Sequence, residues 1–325
     1  MNPFAYLQAK TLRSAVRAAR QEGAAILAGG TDLIPLIQDG IVTPAVVVSL
    51  GSVRGLDGIR SGSEGLRIGA CVTLSALAAH RAVRTRYTAL AEAARAAASW
   101  QIRNQGTVGG NLCQHSRCWY YRQDFPCLRR GGDRCSAADG ENRLHAILGG
   151  GPCYDVHPSD LAPALVALDG RVRIAGPGGN REIPLEQLFV HPSANARHHL
   201  ALGRGEIVTA VIVPRPADGT RSLYLKAMDR AAWSFALASV AVAGRVEDGR
   251  VTGLRVCLGG VAPVPWRARA VEQALVGQPL HSQRVEQAVE RELEMAKPLG
   301  RNAYKVALTR GLLRRALHTL GHAKA

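Results

Sequence analysis

From Asn111 to Cys135 the chain reads NLCQHSRCWYYRQDFPCLRRGGDRC, and no apolar period of two or of 3.6 residues runs through it. Such a stretch cannot bury one face as a strand or as an amphipathic helix. Something other than a hydrophobic core has to organise it. It holds four of the seven cysteines, Cys113, Cys118, Cys127 and Cys135, and a fifth, Cys153, follows in the same irregular region. The start, MNPFAYLQAKTLRSAVRAARQEG, lacks the apolar block and cleavage site of a secretory signal. No segment has the apolar length that spans a bilayer. The expected address is the cytosol, where thiols stay reduced and clustered cysteines point to metal rather than disulfides.

The last four of these cysteines are spaced C-x8-C-x7-C-x17-C. Structural zinc sites use a tight C-x2-4-C pair, and thioredoxin-like redox sites use C-x-x-C; neither pattern occurs. Four thiolates in a loop without its own core suit an iron–sulfur cubane, which would serve as that core. Zinc and unligated thiols stay open as alternatives. Arg117, Arg122, Arg129, Arg130, Arg134 and Arg143 lie close by in sequence and could neutralise the negative charge of a thiolate-bound cluster. The aromatics of RCWYYR could shield it from water. His115, His145 and His157 are expected to be structural, and Cys71 and Cys257, in strand-like apolar contexts, to be buried core thiols.

On either side of this region the periodicity is ordinary. TLRSAVRAARQ, TDLIPLIQDG, YTALAEAARAAAS and the segment after HPSD predict helices, the second capped by Thr31 or Asp32 and the last by Ser159 or Asp160. AAIL, AVVVSL, LRIG, RVRIAG and EIVTAVIVP predict strands. Pro214, Pro216 and Gly219 mark a linker. Beyond it, SLYLKAMDRAAWSFALASVAVAGRV and VTGLRVCLGGVAPVPWRA read as strand, helix and strand material, and the chain is helical from about Ser282. The class is mixed α+β.

Two glycine loops carry the clearest binding signal. In LAGGTDL, Leu27 to Leu33, a strand ends in paired glycines before a helix. In GTVGGN, Gly106 to Asn111, a second glycine pair follows. Backbone amides in such turns can converge on a diphosphate. Neither loop is G-x-G-x-x-G, and no Lys-Ser/Thr follows, which argues against a nicotinamide Rossmann site and against a P-loop. The net charge of +16, from 41 basic and 25 acidic residues, is spread out rather than gathered in a stripe with aromatics. A basic surface for an acidic protein partner is the expectation, not a nucleic-acid groove.

AGGTDL, GTVGGN, HPSDLAPALVALD and KAMDRAAWSFALASVAVAG together resemble the FAD-binding medium subunit of xanthine-oxidase-family molybdenum hydroxylases, over essentially the whole chain. The resemblance implies a two-subdomain FAD-binding fold of the vanillyl-alcohol-oxidase type over residues 1–216, and a small C-terminal α+β domain over 217–325. It implies that Ile26, Leu27, Ala28, Gly29, Gly30, Thr31, Asp32 and Leu33, with Thr107, Gly109, Gly110 and Asn111, hold the FAD diphosphate through backbone amides. Asp160 and Lys226 would lie near the flavin's sugar chain or ring.

Residues of about 113–156 form an insert that resembles one in the flavin subunit of bacterial periplasmic aldehyde oxidoreductases, where the loop binds a [4Fe-4S] cluster. Its matching positions are Cys118, Cys127, Cys135 and Cys153; Cys113 stands outside the set. The implied role is electron transfer from [2Fe-2S] clusters to an external acceptor, in a heterotrimer with a large molybdenum-cofactor subunit and a small subunit carrying two [2Fe-2S] clusters. No residue set for substrate chemistry is expected in this chain, and no nucleic-acid or membrane-spanning role. The 4-hydroxybenzoyl-CoA reductase flavin subunit, another molybdenum hydroxylase, and a zinc- and nucleotide-binding regulatory module are the alternatives. The resemblance also opens a second address, the periplasm, reached by export with a signal-bearing partner subunit.

Overall fold

The N-terminal strands β1 (Ala5–Gln8), β2 (Ala24–Leu27) and β3 (Val46–Ser49) pair in parallel, in the order β1-β3-β2. Parallel pairing requires crossover connections, and helices α1 (Leu12–Ala19) and α2 (Leu33–Gln38) supply them. Thr11 starts α1 with a reciprocal capping box to Ser14. Ala9, Ala15, Ala18, Val48 and Leu50 form the core between α1 and the sheet. The structure, a computed structural model, describes residues 2–322.

A five-stranded antiparallel sheet follows, built from β4 (Ile59–Gly62), β5 (Gly65–Gly69), β6 (Arg171–Gly176), β7 (Gly179–Pro184) and β8 (Ile207–Pro214), in the order β4-β5-β8-β6-β7. The chain between β5 and β6 carries every helix of this part: α3 (Leu74–Ala79), α4 (Arg81–Arg86), α5 (Thr88–Ala96), α6 (Trp100–Gln105), α7 (Val108–Cys113), α8 (Trp119–Arg122) and α9 (Leu161–Ala167). GTVGGN, read from sequence as a loop, is largely the start of α7, with the Thr107 side chain capping the Gly110 amide. Every residue of α9 is buried, and Ser159, not Asp160, caps it by accepting from the Ala162 amide. Between α7 and α9 the insert has only α8 and a 3-10 turn at Leu128–Arg130 as regular structure.

The C-terminal part is an antiparallel sheet of β9 (Arg221–Ala227), β10 (Ala238–Glu247), β11 (Arg250–Gly259) and β12 (Trp266–Arg267), in the order β12-β11-β10-β9. It is covered by α10 (Arg269–Leu275), α11 (Ser282–Leu293) and α12 (Tyr304–His322). The helix expected inside KAMDRAAWSFALASVAVAG is not there. β9 and β10 pair antiparallel, so the residues between them are used up in reversing the chain, with Trp233 at a φ of 54°. The helices of this part, α10 to α12, all lie beyond β12.

The insert is tied to this last unit. Asn142 Oδ1 accepts the Arg301 amide, and Asn302 Nδ2 donates to the carbonyls of His145 and Ala146. Lys305 Nζ, fully buried, donates to the carbonyls of Leu144, His145 and Gly260. Ile147 and Leu148 join the core of the C-terminal sheet. Among the described residues no helix is long and apolar enough to cross a membrane.

Candidate cofactor site

The two glycine loops meet. A Cβ on Gly29 would overlap the carbonyl oxygen of Gln105, and one on Gly106 would stand 3.4 Å from Thr31 Oγ1. Gly109 is equally tight: its Cβ would lie 2.9 Å from that of Ala70, where α7 crosses the end of β5. Glycine is needed at 29 and 109 so that segments distant in sequence can touch, and at Gly30 for a φ of +75°. A cleft opens beside this junction as three adjoining cavities. The first, about 350 Å³, is walled by Ile26, Ala28 to Leu33, Thr107, Gly109, Gly110 and Cys113. A second, about 120 Å³, shares Thr31, Asp32, Thr107 and Gly110 with it and adds Asn111, Asp160 and Trp233. A third, about 310 Å³, shares Asp160, Trp233 and Phe235 with the second and reaches Cys118 and His145.

The loops are not equivalent in what they offer. The amides of Gly29, Gly30, Thr31 and Asp32 donate to no acceptor in the protein, among the described residues. Those of the second loop are committed: Val108 to Val72 O, Gly109 to Ala70 O, Gly110 to Thr107 Oγ1 and Asn111 to Thr107 O. The expectation that both loops present free amides therefore has to be corrected. α7 spends its amides on the turn after β5 and on its own cap, and it contributes surface, the Thr107 hydroxyl and the Asn111 side chain. Asn111 Oδ1 accepts from Ser159 Oγ at 2.6 Å.

Asp32 departs from expectation as well. It stands at the N-cap position of α2 but makes no capping bond. Its carboxylate turns to the insert. Oδ2 accepts the His115 amide at 2.7 Å and Oδ1 accepts Nη2 of Arg122 at 2.8 Å, while Nη2 of Arg117, which donates to Gln114 Oε1, is ion-paired with Oδ1 at 2.8 Å. Burial pushes this carboxyl up, but the bonds to His115 and the two guanidiniums outweigh it and hold its pKa well below the ordinary range.

Asp160 lies deep in the cleft wall, and Lys226 stands behind it rather than in the cavity. Lys226 Nζ donates to Asp160 Oδ2 at 2.8 Å and to Ala96 O at 3.0 Å, with both side chains almost fully buried. Tyr224 donates its hydroxyl to Asp160 Oδ1 at 2.6 Å. Burial raises the Asp160 pKa, opposed by Lys226 and Tyr224. Tyr224 was missed from sequence. Its signal was the two-residue spacing from Lys226, which puts both on one face of β9.

The four insert cysteines lie in one irregular region but do not gather at one point. Cys135 and Cys153 are neighbours whose mutual influence lowers the Cys135 pKa and raises that of Cys153. Cys118 packs with Cys127 and Tyr121 against Leu36 of α2. Burial raises Cys127, and Cys118 to about 12. Cys118 Sγ is 3.1 Å from His145 Nε2, and Trp119 and Tyr120 pack around that imidazole. Among the described residues no three His, Cys, Asp or Glu side chains are close enough to share one metal ion. Of the arginines expected to serve the cysteines, Arg117 and Arg122 go to Asp32 and Arg143 approaches Asp229. Arg129 is buried against Asp155 at 2.6 Å, and Asp155 Oδ1 in turn lies 3.4 Å from Cys153 Sγ. Cys257 is a buried core thiol, but Cys71 lines the first cavity.

The profile of the FAD binding domain in molybdopterin dehydrogenase matches residues 2–216. The chain belongs to the FAD-binding subunits of the molybdenum hydroxylases. The CO dehydrogenase flavoprotein C-terminal domain matches the rest of this flavin subunit, over residues 223–320. Among its relatives is the aldehyde oxidoreductase FAD-binding subunit PaoB of Escherichia coli K12, 38% identical over 96% of each chain. Another is the carbon monoxide dehydrogenase medium chain of Hydrogenophaga pseudoflava, 27% identical over 97% of this chain and 96% of that one. A chain of reconstituted CO dehydrogenase from Oligotropha carboxidovorans superposes on the flavin subunit with a TM-score of 0.79, at 25% identity and over 99% of both chains. The cleft suits the dinucleotide this family binds: it is long, apolar at the end by Ile26 and Val208, and flanked midway by four unpartnered amides.

Proposed function

We propose that this chain is the FAD- and [4Fe-4S]-binding electron-transfer subunit of a molybdenum-dependent aldehyde oxidoreductase. In this reading it assembles with a large molybdenum-cofactor subunit and a small subunit holding two [2Fe-2S] clusters. What carries the reading is the 38% identity to an aldehyde oxidoreductase FAD-binding subunit, together with the irregular cysteine-bearing segment that packs Cys118 and Cys127 against α2 beside the flavin cleft.

The amides of Gly29 to Asp32 hold the diphosphate. Asp160, kept in place by Lys226 and Tyr224, faces the far cavity as an acceptor for the ribityl hydroxyls or the ring. Bound FAD supplies one- and two-electron exchange. The insert's donor set is four thiols that no single ion can share. A cubane, with each thiolate on a different iron, suits such a spread better than zinc does. Arg129 and Asp155 order the Cys153 side of that set, and Trp119 and Tyr120 keep water from the Cys118 side. No nucleophile–base pair for substrate chemistry is assigned here; oxidation of the aldehyde belongs to the molybdenum subunit.

The visible spectrum of anaerobically purified protein, with iron, zinc and acid-labile sulfide assays, tests the reading. Flavin bands over a broad brown absorbance, with iron and sulfide at about four per chain, are expected. Stoichiometric zinc without sulfide would replace the cluster with a structural metal and remove the electron-transfer role of the insert.

A further inference from the structure

We infer that Asp32 is a positioning residue that makes flavin retention depend on the order of the cysteine insert, rather than a helix cap or a ligand of the diphosphate. The inference rests on the proposed function, since it concerns how that cleft is held.

The glycine loop is anchored at two ends. At one, β2 pairs with β3 through Leu27 and Ser49. At the other, α2 begins at Leu33, and its first turns are gripped by the insert in two ways. The polar grip is Asp32, whose carboxylate accepts the His115 amide and the Arg122 guanidinium and is ion-paired with Arg117. Arg122 is itself oriented by donating Nε to the Ser116 carbonyl. The apolar grip is Leu36, four residues on and hence on the same face of α2. It is fully buried against Tyr121, Cys127 and Cys118. No other element supplies a partner for the Asp32 carboxylate among the described residues. The four unpartnered amides end at Asp32 itself, so a shift of this residue moves them directly. Arg117 extends the same network across the cleft, its guanidinium stacking 4.9 Å from the Phe235 ring.

The insert has little regular structure and no extended core of its own, so its order near residues 115–127 depends on what its cysteines hold. A segment ordered by one ligand and required for another couples the two binding sites, and the coupling is reciprocal. Loss of a cysteine ligand should therefore loosen FAD, although no cysteine of the set touches the glycine loop. The Asp32 carboxylate is the transmitting group.

The test uses the full chain, freed of flavin and titrated with FAD while flavin fluorescence is followed, alongside separate iron assays. Asp32→Asn, Arg122→Gln and Cys127→Ser are each expected to weaken FAD binding roughly tenfold. The Asp32→Asn/Cys127→Ser pair should weaken it no further than the weaker-binding single variant. Amide hydrogen exchange of residues 28–38 in the flavin-free chain, which needs neither cofactor for its readout, should accelerate in Arg122→Gln. FAD affinity unchanged by Cys127→Ser, or loss additive in the pair, overturns the coupling and leaves the flavin assignment intact. An effect of Asp32→Asn not shared by Arg122→Gln would make Asp32 a direct ligand and overturn the inference too. A wild-type chain that takes up no FAD would defeat the functional reading itself.

Discussion

At the scale of single residues, the cleft is decided by where polar groups find partners. A Cβ on Gly110 would meet only one atom, the capping Thr107 Oγ1, at a tight 3.0 Å. A leucine at 110 would project along the cleft wall instead of into the protein. Gly110→Leu is expected to lower flavin content after gel filtration by roughly tenfold, with the melting temperature little changed. Asp160 is the opposite case, a carboxylate that only Lys226 and Tyr224 make tolerable. Lys226→Met should cost about 3–5 kcal/mol in urea unfolding, because a buried charge loses its counter-charge. Tyr224→Phe should cost about 1–2 kcal/mol, one hydrogen bond. The Asp32 carboxyl is held below its ordinary value of 3.8. A depressed carboxylate adds stability that is complete above that value and lost as the pH falls toward the folded-state pKa. The stability gap between wild type and Asp32→Asn, measured by chemical unfolding, should be constant from neutral pH down to about 5 and shrink below about 4.

At the scale of elements, short helices do the positioning. α2 is a wedge between glycine loop and insert, and α7 is held down by the amides it donates to the turn after β5. α12 clamps the far side of the insert through Lys305. Burial brings the Lys305 ammonium down to about 7. Between that value and the ordinary 10.5 the unfolded chain binds a proton that the folded chain does not. Stability therefore rises with pH across the interval, and the burial penalty is complete below it. The pH dependence of urea unfolding between pH 7 and 10 should flatten in Lys305→Met. That variant should also be less stable throughout, since three carbonyls lose their donor. The identical slope in wild type and variant would show that Lys305 stays charged in the fold.

At the scale of the whole molecule, one irregular segment borders the flavin cleft, carries the cysteine set and is tied to the C-terminal unit. Cys135→Ser is expected to lose most of the iron of the purified subunit, as measured by colorimetric assay, since one thiolate of four is removed. Unchanged iron per chain would reassign the ligand. The strands and helices outside the insert were legible in sequence because their periods and glycine or proline stops are local, as in AVVVSL for β3 and TLRSAVRAARQ for α1. The helix expected in KAMDRAAWSFAL was misplaced because the pairing of β9 with β10 claimed those residues for a reversal. The glycine pairs and the four cysteine positions were equally visible, as was their likeness to a flavin subunit. What the sequence determined by itself is thus the strongly periodic strands and helices and the inventory of donors. Which amides stay free, which carboxylate meets which arginine, and why Gly29 must be glycine were decided by tertiary structure alone. Each of these depends on a partner far along the chain, 83 residues away for the His115 amide on Asp32, and a hydrogen bond or a close contact exists only once folding has brought both groups together.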